Sequence, residues 1–297
     1  MEYNEIINNL ESKRKAITKK LLISLGVFIG TLLLGFIISL ISHKEQIIIF
    51  GGLIGVIVAI GIIADSINKY KKEFKTNLMP LIISRTGLNL KYDYKDGVGI
   101  NTAMNSKLFK KPDRYHSEDL LYGTIDDVQF MCSDVHMEEK RVVRDSKGRT
   151  HVEYITFFRG RWFVYEFNKE FNGIIQVRED GFLQGHPWGL KVEKIQLEDV
   201  EFNKKFKTLA TNQHDAFYVL TPTLMENIKK LEKRFPGKIY LSFIGNQVHI
   251  AIYDSKDSFE PPIFSPINDA FIDNIVADIL ITQEIINELK LNRKIFK

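Results

Sequence analysis

The sequence predicts an α+β protein, an N-terminal transmembrane helical hairpin followed by a mostly antiparallel β domain with flanking helices. Three observations carry this expectation. Two uncharged apolar runs, Leu21–Ser42 and Ile47–Ala64, are separated only by His43, Lys44, Glu45 and Gln46. Residues 120–220 then break into short runs rich in β-branched and aromatic residues, the pattern of consecutive strands. Apolar residues return at three-to-four spacing after Thr221-Pro222 and again after Asn268, which marks helices.

At about 1.5 Å per residue the first run covers about 33 Å and the second about 27 Å, against a hydrocarbon core of about 30 Å. One unbroken helix through both would strand its second half in water, so the chain must turn back at residues 43–46. Ahead of the first run, residues 1–20 place Ile6, Ile7, Leu10 and Ile17 at helical spacing, an amphipathic lead. Gly26 and Gly30 form one GxxxG and Gly51 and Gly55 another, a spacing that lets helices pack closely, against each other or in a homo-oligomer. Neither run carries the ionisable residues that mark ion or proton paths, which argues against a transporter. The first run is too long for a cleaved signal peptide and is followed by a second. After the second run, Ile67, Tyr70, Phe74, Leu78 and Leu81 extend a juxtamembrane helix over 65–85, which Pro80 is placed to bend or end.

The formal net charge is +4, and its placement matters more than its size. Lys13, Arg14, Lys15, Lys19 and Lys20 outweigh three acids before the first run, and Lys69, Lys71, Lys72 and Lys75 outweigh two after the second. Lys and Arg are retained on the cytoplasmic side, so both termini and the body over 86–297 are expected in the cytoplasm. These cations also suit anionic lipid. Cys132 is the one cysteine, which excludes an intramolecular disulfide and fits a reducing compartment.

In the body, Thr86–Asp119 reads as a linker with short elements. Strands are expected at Tyr122–Val135, Glu139–Arg144, Thr150–Phe158, Trp162–Phe167, Ile174–Arg178, Leu190–Leu197 and Phe217–Leu220. Thr221 or Thr223 caps a helix whose buried face is Leu224, Ile228, Leu231 and Phe235. Gly245-Asn246 reads as a two-residue hairpin loop between Ile239–Ile244 and Gln247–Tyr253. Phe259–Pro266 is loop, and a last helix runs from Asn268 to about Leu291. The run Glu166-Phe167-Asn168-Lys169-Glu170-Phe171 returns as Glu201-Phe202-Asn203-Lys204-Lys205-Phe206, read as one strand-end turn used twice.

No catalytic residue can be assigned, and neither a cofactor nor a metal is expected. The adjacent acidic pairs, Glu118-Asp119 and Asp126-Asp127 among them, point to opposite faces of a strand and read as solvated. The histidines lack zinc-site spacing, and no phosphate loop, nucleophile elbow or kinase signature is present. Two stretches suit binding better. The Gly181–Gly189 loop presents Phe182, His186 and Trp188, with the alternative that Trp188 folds back on the sheet. A hairpin turning at Asp145-Ser146-Lys147-Gly148 carries Lys140, Arg141, Arg144 and Arg149, which could meet anionic lipid or an acidic partner. Interspersed acids make nucleic acid an improbable target.

The two apolar runs, Phe158-Arg159-Gly160, Glu166-Phe167-Asn168-Lys169, the Glu198-Asp199 to Phe206 segment and Leu220-Thr221-Pro222 together resemble an uncharacterised bacterial family of membrane-anchored proteins with a domain of unknown function. The resemblance implies a bacterial inner-membrane protein, supplies no catalytic residues, and suggests work beside a LemA-type membrane protein. The leading expectation is therefore a membrane-anchored interaction or regulatory protein. Its alternative is a membrane-bound hydrolase of lipid or envelope precursors, with a site built from the His186 loop and remote carboxylates.

Overall fold

The computed structural model describes residues 3–43, 46–179 and 191–292. The chain divides into two compact units, Met1–Arg85 with Phe259–Val276, and Thr86–Ser258 with Ala277–Lys297.

In the first unit the amphipathic lead and the first apolar run form one 40-residue helix, α1 (Tyr3–Ser42), with no proline to interrupt them. His43 turns the chain in the left-handed region (φ 52°) and α2 (Gln46–Glu73) runs back along α1. Both helices are long and apolar enough to cross a bilayer. The contact between them uses Gly35, Gly51 and Gly55. A Cβ on Gly51 would lie 2.8 Å from the Thr31 carbonyl oxygen, and one on Gly55 2.2 Å from Thr31 Oγ1. Gly26 and Gly30, expected in this contact, face open space: a Cβ on either would meet nothing within 4 Å among the described residues, and Gly35 takes the place of that pair.

Beyond the apolar stretch α2 widens into a π-helical turn, Phe74–Leu78, and continues as α3 (Met79–Arg85). Pro80 has no N–H to close the α ladder, and the Met79 N–H instead reaches back to the Phe74 carbonyl, so the chain continues where a stop was possible. Tyr70, Phe74, Leu78 and Ile82 are buried. Segment 259–268 lies against this base. Tyr70 donates its hydroxyl to the Pro262 carbonyl (2.8 Å), Arg14 reaches the Ile263 carbonyl (3.3 Å), and the Ile267 N–H donates to Glu11 (2.6 Å). Glu260 meets Lys71 and Lys75 at 2.5 and 2.7 Å.

Among the described residues the second unit is built on a seven-stranded antiparallel sheet with strands β1 (Leu90–Asp93), β2 (Arg114–Ile125), β3 (Val128–Arg144), β4 (Thr150–Glu179), β5 (Glu193–Ile195), β6 (Phe206–Ala210) and β7 (Lys238–Tyr253). The order is β1-β2-β3-β4-β6-β5, with β7 also on β4. Its helices are α4 (Ile100–Asn105), α5 (Val200–Lys205), α6 (Gln213–Val219) and α7 (Pro222–Arg234), and α8 (Asp269–Leu289) passes from the first unit into it.

Several sequence expectations change. The expected strand Tyr122–Val135 is two, because Asp126 and Asp127 turn the chain with φ of 49° and 67°. The three expected strands from Thr150 to Arg178 merge into β4, which absorbs register shifts opposite Met137 and between Glu166 and Ile174. Gly245-Asn246 is not a hairpin: β7 runs through it paired to β4 on both sides, and Gly245 (φ 54°) sits where the register slips. Of Phe217–Leu220, residues 217–219 are helical and Leu220 is the C-cap of α6, whose other end Asn212 caps at the His214 N–H (2.9 Å), and the neighbouring strand is Phe206–Ala210. The echoed motif has two local structures: residues 166–171 lie within β4, whereas Asp199 caps the second copy as α5. Thr221 caps α7 at the Leu224 N–H with Pro222 in the first turn, which decides between the two caps.

One sheet face carries Phe158, Trp162, Val164, Tyr240 and Ala251, covered by Val98, Ala103, Leu108 and Phe109 of the α4 segment. Burying such side chains contributes roughly 1.5–3 kcal/mol each. Arg178 anchors the cover, donating to the Leu108 carbonyl at 2.6 Å, while Gln176 and Ser242 donate to the Ser106 carbonyl. The opposite face carries Phe163 and Tyr165, and Tyr165 donates to the Thr282 carbonyl of α8 at 3.1 Å.

Candidate functional site

Three places in the second unit gather chemistry. The first is the end of the β3–β4 pair. Beyond the Arg114↔Glu138 and Gly160↔Tyr253 pairings no third strand accompanies it among the described residues, so residues 139–155 form a two-stranded ribbon. Direct cross-strand partners share a face. One face therefore presents Lys140, Val142 and Arg144 opposite Tyr154, Val152 and Thr150. Val142 is 66% exposed and Val152 48%, and the Arg114 guanidinium stacks over the Tyr154 ring at 3.3 Å. The other face carries Arg141 between Glu139 and Glu153, with an Arg141–Glu139 ion pair and a His151–Glu153 contact at 2.7 Å. At the tip Asp145 accepts from the Arg149 backbone N–H at 2.8 Å, from its guanidinium at 2.9 Å and from the Lys147 N–H, which holds its carboxyl below the usual range. Lys140, Arg141, Arg144 and Arg149 are thus together, but on different sides of the ribbon.

The second place is an acidic corner at the irregular stretch of β2 between Glu118 and Leu121. Asp119, Asp134 and Asp257 bring one oxygen each within 4.8 Å of one another. Asp119 is only 1% exposed and adopts φ 62°, so the Glu118-Asp119 pair is not uniformly solvated, as its sequence suggested. Such hard oxygens could hold a divalent cation. Protein groups already meet them: Tyr92 donates to Asp119, the Ser258 N–H to Asp134, and Arg159 to Asp257 at 3.3 Å, with Arg161 at 3.8 Å from Asp134. Burial pushes the Asp134 carboxyl up to about 6, and Arg161 only partly offsets it. The signal for Asp134 is in the sequence, since it shares the inward parity of Phe130 and Cys132.

The third is a groove of about 430 Å³ across β1, β2, β3, β4 and β7. Tyr122, Met131 and Val164 form its apolar row, and Thr124, Gln129, Glu166 and Gln247 a polar one. It brings Lys91 and Glu166 to one surface without a nucleophile–base pair among the described residues. Phe182, His186 and Trp188 lie outside the described residues. His249, which the sequence did not single out, is buried behind the sheet face beside Trp162.

The fold and these surfaces define a class: two apolar N-terminal helices and an antiparallel α+β unit without an assigned chemistry. Residues 156–291, from within β4 to just past α8, match the family model described as Protein of unknown function (DUF3137), in agreement with the resemblance drawn from the sequence motifs. No curated protein matches the chain. Among solved structures, the crystal structure of the mycobacterial trehalose monomycolate transport factor A, TtfA, aligns with a TM-score of 0.39 and 11% identity, over 73% of this chain and 96% of that one.

Proposed function

We propose that this is a bacterial multi-pass membrane protein, with both termini in the cytoplasm, that acts as an interaction or regulatory protein. The observation that carries the reading is the continuous apolar exposure of α1 and α2. Leu22, Leu33, Leu34, Ile41, Ile49, Phe50, Ile57 and Ile60 are each between 57 and 76% exposed, a surface that water does not tolerate and lipid does. Basic residues on both outer flanks support the cytoplasmic orientation. The interaction role rests on a near-neutral β-rich unit with an open ribbon and groove; a LemA-type membrane protein is the partner the family resemblance suggests, and a second copy is the alternative. The hydrolase reading needs the His186 loop, and neither the groove nor the acidic corner favours it.

Protease added to intact cells and to inside-out vesicles tests the orientation. The body should be cut only in the vesicles, and cutting in intact cells would refute it. Crosslinking in membranes followed by purification tests the role: a stable partner or homo-oligomer supports it, and a lone monomer in native membranes counts against it.

A further inference from the structure

We infer that the Lys140–Val142–Arg144 face of the β3–β4 ribbon is a docking surface for an anionic lipid bilayer. The inference rests on the membrane anchoring proposed above and adds a second point of attachment. Its basis is the asymmetry of the ribbon. The face bearing Arg141 and Val143 compensates its own charge, with Glu139 and Glu153 on either side of Arg141. Among the described residues the opposite face has no carboxylate in its rows from Lys140 to Arg144; it carries Lys140 and Arg144 around Val142 and Val152, and only at its base do carboxylates approach, Glu138 at 4.0 Å from Arg114, which lies over Tyr154, and Asp113 accepting from the Lys140 N–H. Two exposed valines between strand neighbours are out of place on a solvated ribbon, where polar residues would serve.

Cations framing short apolar side chains match an interface of phosphate groups over acyl chains. The cations pair with headgroups while their stems and the valines sit at the acyl boundary. The aromatic ring of Tyr154 adds an amphipathic group suited to the same depth. An acidic protein would meet the same cations, but the valines and the tether favour lipid. A chain held in a membrane by its own helices keeps the ribbon at high effective concentration near headgroups, so a weak surface suffices.

The test uses the full chain in nanodiscs of neutral lipid or of neutral lipid mixed with phosphatidylglycerol. Cys132 is 1% exposed, so a thiol-reactive, environment-sensitive fluorophore labels Val152→Cys selectively. Its emission should shift to the blue in anionic discs alone, and the shift should vanish with Lys140→Glu/Arg144→Glu or in high salt. A probe at Val143→Cys, on the compensated face and leaving Glu139 and Glu153 in place, should not respond to lipid charge. Equal emission at position 152 in both discs overturns the proposal while leaving anchoring intact. A blue shift that appears in detergent on raising protein concentration, or on adding an acidic peptide, assigns the face to a protein partner and overturns it as well. A chain that enters neither disc refutes the anchoring, and the proposal with it.

Discussion

Trp162 on β4 donates its indole N–H to Nδ1 of His249 on β7 at 3.4 Å, and the two rings meet edge to face at 6.4 Å. The pairing fixes the histidine proton on Nε2, which is buried without a hydrogen-bond partner among the described residues. Burial lowers the His249 pKa to about 4. The folded protein therefore holds this imidazole neutral where the unfolded chain protonates it. Its contribution is fully present above the unfolded value of about 6.5 and is lost as pH falls through the folded value, up to about 3 kcal/mol. We expect the stability of wild type to fall relative to His249→Gln between pH 6.5 and 4, measured by denaturant titration of the detergent-solubilised chain. Parallel pH profiles would contradict it.

Asp134 carries the opposite slope. Its pKa is raised to about 6 by burial, so the folded state keeps a proton that the unfolded chain releases near 4. That contribution is present below the unfolded pKa and is lost as pH rises through 6, again about 3 kcal/mol. Wild type should gain on Asp134→Asn by that amount as pH is lowered from 6 to 4. The two groups oppose each other over this window, so the single substitutions should reveal slopes that wild type conceals.

Gly160, in the motif Phe158-Arg159-Gly160, has φ of 156°, and a Cβ there would lie 2.0 Å from the Ile252 carbonyl oxygen of β7. No side-chain rotation relieves a clash with backbone. Gly160→Ala should cost more than about 3 kcal/mol, combining strain with displacement of the β4–β7 pair. Gly87 also has positive φ (70°), but among the described residues nothing lies within 4 Å of its Cβ position, so Gly87→Ala should cost only about 1 kcal/mol. Equal melting temperatures for the two variants would refute the distinction.

These sites show what was legible beforehand. Long apolar runs and helix caps act locally, so α1, α2, α7 and α8 can be read from composition and spacing. The sheet cannot be read as easily, because strand ends depend on partners far along the chain. Gly245-Asn246 has the chemistry of a hairpin turn, yet β4 runs alongside both halves of β7 and keeps it extended. Phe217–Leu220 has strand composition, yet the Asn212 cap and the place already taken by β6 make residues 217–219 the end of a helix. The acidic corner joins residues 119, 134 and 257, a separation over which no spacing rule operates. The ribbon cations were visible; their division between two faces required the register.

The hairpin contact offers a third contrast. A side chain at Gly51 would strike the Thr31 carbonyl at 2.8 Å and one at Gly55 the Phe28 ring and backbone at 3.1 and 3.3 Å, whereas Gly26 and Gly30 are open. Gly51→Val should therefore destabilise the helix pair by about 1–3 kcal/mol, the range for overpacking, and Gly26→Val should leave it unchanged. Resistance to unfolding in a titration with sodium dodecyl sulfate reads the difference. A larger loss at Gly26 would instead assign that residue to contacts between copies.

Segment 259–268 supplies the last prediction. Glu260 reaches Lys75, whose side chain is 4% exposed, at 2.7 Å and Lys71 at 2.5 Å. Burial alone would raise the Glu260 pKa, but the two lysines outweigh it and hold the carboxyl below its ordinary value. Breaking a buried pair from one side costs about 3–5 kcal/mol, because the remaining charge keeps its desolvation without the attraction that offset it. With Tyr70, Arg14 and Glu11 still holding the segment, Glu260→Gln should loosen rather than unfold it. Limited proteolysis should then cut near residues 259–268 faster than in wild type. Adding Lys75→Met removes the buried charge and should restore much of the resistance. Faster cutting in the double variant than in Glu260→Gln would mean that Lys75 holds the base of α2 by contacts independent of Glu260.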